Sequence, residues 1–158
     1  MRLIRNIGLY LGHLLTALIG TAILSTPIEK MSRSTSVAGI LWKELILSIV
    51  CAGLIGVLVY RTWRSRIGIW VWILPAGWLA LHILSSLTHR HSALTQSGGL
   101  WAQIFGFDCI ERLAETRCRD FFLFTVPFVR SISYSLGTLV GIRLVRPVTA
   151  RVGEVKVP

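Results

Sequence analysis

Arg130 lies inside an apolar run, between Val129 and Ser131, where a lone guanidinium is expensive. An arginine at the centre of a bilayer-crossing helix costs about 2.5–3.5 kcal/mol on insertion scales, so it must face other helices, a wet cavity or the headgroup region. The acidic group clearly inside an apolar run is Glu44, beside Lys43. At about 1.5 Å per residue, Glu44 lies roughly 9–10 Å into its helix and Arg130 roughly 15 Å into its own. The two come level if the last helix enters the bilayer at Leu123 or Phe124. A Glu44–Arg130 ion pair is therefore expected, each charge offsetting the burial of the other. Tyr134 and Thr138 continue the Arg130 face at intervals of four, with Ser131 and Ser135 alongside. Such a stripe serves one of three purposes: an internal network that fixes helix register, a site for a lipid headgroup, quinone or small anionic solute, or a site completed by another protein.

The histidines raise the question of a haem or metal. His13 lies about 9 Å from one end of the first apolar run, and His82 about 22 Å from the same side in the third. Two axial haem ligands need nearly equal depth, so this pair does not hold one, and His13 is expected to hydrogen-bond across the helices instead. His82, His89 and His91 gather toward the far side, but His89-Arg90-His91 matches no metal-ligand spacing, and solvated loop histidines are expected there. No metal and no cofactor are predicted.

Cys51 falls among Val50, Ala52 and Gly53, where a lone thiol acts as a small packing residue. Cys109 and Cys118 fall in a polar connector and are candidates for a disulfide. On one straight helix their Cα atoms would be about 13.5 Å apart, against the ~4.4–6.8 Å that a disulfide requires. The bond needs the chain to double back near Ala114 or Glu115.

Phosphate-binding loops, nucleophile elbows, zinc-protease and dinucleotide signatures are absent. With Glu44 the only acid clearly within an apolar run, hydrolysis and phosphoryl transfer lack their usual placed carboxylates. The balance leans away from an enzyme.

The elements that must position these groups are four apolar runs, Ile7–Leu24, Val37–Tyr60, Ile67–Leu87 and Phe121–Val145. Each approaches or exceeds the ~20 residues that cross a bilayer core of about 30 Å. The chain is 53% hydrophobic and 15% charged, with a mean hydropathy of +0.66, whereas soluble domains carry about 25% charged residues. The largest connector, 88–120, is shorter than the ~40 residues below which an independent domain needs staples. Residues 1–158 are thus expected to form one all-α integral membrane domain, a four-transmembrane-helix bundle with a short interfacial or extramembrane helix between the third and fourth spans. Met1-Arg2-Leu3-Ile4-Arg5 and the run behind it look like a signal peptide, but that run exceeds the ~7–15 residues of a typical apolar core. It is expected to remain as the first span.

The net charge of +10 is informative through its distribution. With the amino terminus inside, Arg2, Arg5, Arg61, Arg64, Arg66, Arg143, Arg146, Arg151 and Lys156 lie on the inner side. Lys30, Arg33, Arg90, Arg112, Arg117 and Arg119 lie outside, diluted by Glu29, Asp108, Glu111, Glu115 and Asp120. Lys and Arg in short loops set orientation, and Arg61–Arg66 is the densest case, so both termini should face the cytoplasm. The location expected is a cell membrane, in a bacterium the inner one. Membrane lipids, other membrane subunits or a second copy are the partners expected, and nucleic acid is not.

Small residues recur at intervals of four: Gly8, Gly12, Thr16 and Gly20 in the first span, Ser48, Ala52 and Gly56 in the second, Ser133, Gly137 and Gly141 in the fourth. Between helices surrounded by lipid, close backbone approach and dispersion replace the hydrophobic effect, so these strips are expected to pack helix on helix or to meet a partner. In the third span Pro75 removes a backbone donor and predicts a kink near Val71–Leu74. Trp63 and Trp70 fit an aromatic belt, while Trp72 and Trp78, deeper, either fill the bundle or face lipid. Ser25–Ser36 reads as a loop. Asp108 and Glu111 have capping-box spacing for a helix over Cys109–Thr116.

Four spans with a cysteine pair in the second outer connector resemble, in topology, the quinone-linked disulfide-generating membrane proteins that reoxidise periplasmic thiol oxidases. Those proteins carry a further Cys-x-x-Cys in the first outer connector, and Ser25–Ser36 contains no cysteine. A structural staple fits Cys109 and Cys118 better than a dithiol relay. The leading expectation is a non-catalytic scaffold or accessory subunit of a membrane complex. A transporter or solute-binding bundle using Arg130, Glu44 and Tyr134 comes next, and a thiol redox protein third.

Overall fold

A computed structural model describes residues 2–31, 37–89, 118 and 121–145. These residues are helical apart from the turns named below and the single residue Cys118. The first rod consists of α1 (Arg2–Leu15), one π-helical turn (Thr16–Gly20) and α2 (Thr21–Met31). Then come α3 (Val37–Trp63), a 3-10 turn (Arg66–Trp70) and α4 (Ile73–His89). A second π turn (Phe121–Thr125) leads into α5 (Val126–Val145). Four helices, counted through their irregular turns, are long and apolar enough to cross a membrane: Leu3–Pro27, Ala38–Trp63, Arg66–Ser85 and Phe121–Leu144.

The first rod does not end at Leu24 as expected but stays helical to Met31. Thr21, Ser25 and Thr26 spend their hydroxyls on carbonyls of the preceding turn, Ala17 and Ala22, rather than opening a loop. Pro27 costs that helix a single amide donor. Of the loop read over Ser25–Ser36, residues 32–36 lie outside the described residues, as do the connector helix over Cys109–Thr116 and nearly all of 90–120.

α3 and α5 form the central pair, with the first rod against α3 and the 3-10 turn wedged between α1 and α5. Glycines permit this closeness. A Cβ at Gly137 would collide with the Gly53 carbonyl oxygen, and one at Gly56 with the Tyr134 carbonyl oxygen. Gly141 receives the Tyr60 ring, Gly12 borders the Trp63 ring, Gly20 meets Ile55, and Ala52 is fully buried. Gly8 departs from the expected strip: it is exposed, and nothing lies within 4 Å of where its Cβ would be. The rotation of α1 that turns His13 and Ala17 inward carries Gly8 outward.

The break at the head of the third span follows from Pro75. Its missing amide would have bonded the Val71 carbonyl, and the Tyr10 hydroxyl donates to that carbonyl instead, at 3.3 Å. The same hydroxyl accepts from Leu74 N–H at 3.3 Å, and regular bonding resumes at Ala76, whose N–H reaches Trp72 O. Trp72 and Trp78 face outward, Trp78 stacked on Phe124 with centroids 5.7 Å apart.

Burial departs from that of a protein folded in water, because polar side chains share the interior with apolar ones while large apolar side chains lie outside. His13, Thr21, Glu44, Ser48, Ser131 and Thr138 are buried, whereas Leu11, Ile19, Trp42, Ile46, Leu54, Leu81 and Leu136 are exposed. Soluble folds place these classes the other way round. An apolar girdle around a polar seam is compatible with a multi-pass membrane protein.

Candidate functional site

The polar side chains of the seam form two layers, one helical turn apart on α5. In the first, the Arg130 guanidinium is divided among three partners from the rest of the chain. Its Nη2 donates to Glu44 Oε1 at 2.5 Å, its Nε to Ser48 Oγ at 3.2 Å and its Nη1 to the Leu18 carbonyl at 3.3 Å. Ser48 in turn donates to Glu44 Oε1 at 3.3 Å, which closes the α3 side of the network. Both charged side chains are mostly enclosed, 14% and 6% exposed.

Local structure explains each partner. Glu44 and Ser48 are one turn apart on α3 and so share a face. The Leu18 carbonyl lies within the Thr16–Gly20 π turn and accepts from Thr21 N–H of its own helix as well as from Arg130. Lys43, next to Glu44 in the chain, is half-buried and is not without a partner.

In the second layer, Tyr134 does not extend the Arg130 site but turns to His13, with the hydroxyl 2.6 Å from Nδ1. Both residues are fully buried. Gly68 of the 3-10 turn sits against them: a Cβ there would lie 3.0 Å from Thr138 Oγ1 and 3.3 Å from His13 Nδ1. Ser135 donates to the Gly68 carbonyl at 3.1 Å, fastening the turn to α5. Thr138 donates to the Tyr134 carbonyl of its own helix and takes no part in binding Arg130. The Trp63 ring meets His13 edge to face, with centroids 5.2 Å apart. Among the described residues His13 Nε2 has no hydrogen-bond partner.

His82 stacks on Phe124 with centroids 3.9 Å apart. The His89 side chain and His91 lie outside the described residues, and among the described residues no three His, Cys, Asp or Glu side chains converge as metal ligands. Cys51 is buried and free. The pairing of Cys109 with Cys118 lies outside the described residues through Cys109.

Tyr10, Gly68 and Trp63 are the participants that sequence reasoning did not place. The Val71 carbonyl orphaned by Pro75 is a signal that some donor has to be supplied, and Gly68, a glycine near the head of the third apolar run, is a signal of close approach. As arranged, the first layer neutralises its own charges and the second joins the first rod, the 3-10 turn and α5. The chain matches no known family model, no curated protein and no solved structure.

Proposed function

We propose that this chain is a multi-pass membrane protein acting as a non-catalytic scaffold or accessory subunit of a membrane assembly. The observation that carries this reading is how Arg130 is occupied. Three of the five guanidinium N–H groups bond Glu44, Ser48 and Leu18, and Glu44 balances the charge, which supports a strut between helices over a group kept for an anionic solute. Chemistry-bearing groups are thereby consumed as struts between helices. The outward apolar faces, with Trp42, Trp72 and Trp78, remain for lipid and for partner helices.

In this reading both termini face the cytoplasm, directed by Arg61, Arg64 and Arg66 in the short hairpin after α3. Cys109 and Cys118 then lie on the oxidising side, where a disulfide persists. Reporter fusions placed after Arg66 should register as cytoplasmic, and a periplasmic signal there would overturn the orientation.

The scaffold reading is tested by native mass measurement after extraction in mild detergent. A stoichiometric second chain, foreign or identical, should accompany the 17.6 kDa subunit. That assembly should survive replacement of both Arg130 and Glu44 by Met. A lone chain that gains thermal stability from a small anion, and loses this gain in the double variant, would favour a solute-binding bundle.

A further inference from the structure

We propose that the hairpin between α3 and the following 3-10 turn is a binding surface for anionic phospholipid headgroups, centred on Arg64. The inference rests on insertion of the chain in a membrane. Arg64 has φ 48°, the one non-glycine residue with positive φ among the described residues. That conformation brings Cβ against the following carbonyl oxygen, and glycine is its usual occupant just past a helix end. Two bonds hold the turn: Arg64 N–H donates to the Tyr60 carbonyl at 2.8 Å, and Ile67 N–H to Ser65 Oγ at 3.3 Å. An arginine thus occupies a strained position that glycine would fill without strain, and its side chain is exposed.

The surroundings fit a phosphate-bearing surface. Arg61 and Arg66 flank Arg64 and are exposed, with Trp63 and Trp70 also exposed on the same hairpin. Tyr60 packs on Gly141 and Trp63 borders Gly12, which brings the Arg143 end of α5 and the Arg5 end of α1 to this end of the bundle. Arg5 and Arg143 are exposed as well. Among the described residues no acidic residue lies at this end: Glu29 belongs to the far end of the first rod and Glu44 is paired with Arg130. Guanidinium forks match phosphate oxygens in bidentate geometry, and indoles settle at headgroup depth. A lipid phosphate satisfies both at once, with the headgroup on the arginines and the acyl chains along the exposed Trp and Leu faces.

The test uses the full chain in nanodiscs of phosphatidylcholine doped with phosphatidylglycerol, with retained lipid counted by native mass spectrometry. Arg64→Gly keeps the turn, removes the strain and deletes the guanidinium. Thermal stability should hold or rise while the preference for phosphatidylglycerol falls about fivefold, the factor expected for one cationic group near an anionic surface. Arg61→Gln with Arg66→Gln should lower it further, and added salt should weaken it in the native chain. An unchanged lipid preference in Arg64→Gly would overturn the proposal. Displacement of the lipid by equimolar inorganic phosphate would overturn it too, by identifying a free-anion site. Release of the chain from membranes by alkaline carbonate would overturn the insertion itself, a result read independently of lipid preference.

Discussion

Gly137 of α5 lies directly on the backbone of Gly53 in α3, so close that a Cβ at Gly137 would stand 2.8 Å from the Gly53 carbonyl carbon and 3.0 Å from its Cα. This crossing brings the Arg130 and Glu44 faces of the two helices within reach of each other. Backbone cannot yield as a flexible side chain can, so Gly137→Ala should force the helices apart and cost about 1–3 kcal/mol. Gly8→Ala, at an open position, should be neutral or gain up to about 1 kcal/mol from helix propensity. Thermal melting in detergent compares the two, and equal tolerance would contradict the crossing.

Much of this arrangement is legible in the residues themselves, because burying charge in an apolar run leaves few options. Arg130 needed an acid at its own depth, and Glu44 was the candidate. The four helices follow from run length, and the break before Ile73 from Pro75. Other features depend on how far each helix rotates about its axis, which local sequence does not encode. Strip periodicity puts Gly8 and Gly12 on one face, but the Trp63 ring lies opposite Gly12 alone, which only tertiary packing decides. The rotation of the first rod that turns His13 inward pairs it with Tyr134. The helical path through Ser25-Thr26-Pro27 was hidden by turn-forming residue types whose hydroxyls bond back to their own helix.

Tyr10 and Pro75 should be energetically coupled. Tyr10→Phe removes the donor to Val71 O and the acceptor for Leu74 N–H, at about 0.5–1.5 kcal/mol for each bond. In a Pro75→Ala background the new amide can serve Val71, so the same Tyr10→Phe change should cost less. A double-mutant cycle by thermal melting reads this, and strict additivity would show that the hydroxyl does not stand in for the missing amide.

The Tyr134 hydroxyl is the partner of a fully buried imidazole. Tyr134→Phe leaves His13 Nδ1 unpaired and should cost about 1–3 kcal/mol. Adding His13→Leu should recover part of the loss, since removing both polar partners is far cheaper than removing one. Recovery is measured against the Tyr134→Phe single variant, and further destabilisation would place the hydroxyl's main role elsewhere.

Thiol reactivity should divide by position. Cys51 is 2% exposed within α3 and should be alkylated slowly in the folded protein and readily after denaturation. Cys109 and Cys118 should resist alkylation until a reductant is added. Mass spectrometry counts the modified thiols under each condition, and prompt labelling of both connector cysteines without reductant would rule out the staple.

The most direct test of a self-neutralising strut is a double-mutant cycle on Arg130 and Glu44, read as thermal stability in detergent. Arg130→Met alone and Glu44→Met alone should each cost about 3–5 kcal/mol, because each leaves one buried charge uncompensated. The Arg130→Met, Glu44→Met double variant should regain most of that stability and retain its assembly. Additive losses in the double variant, or a stable double variant that no longer assembles, would contradict the account and make Arg130 a binding group.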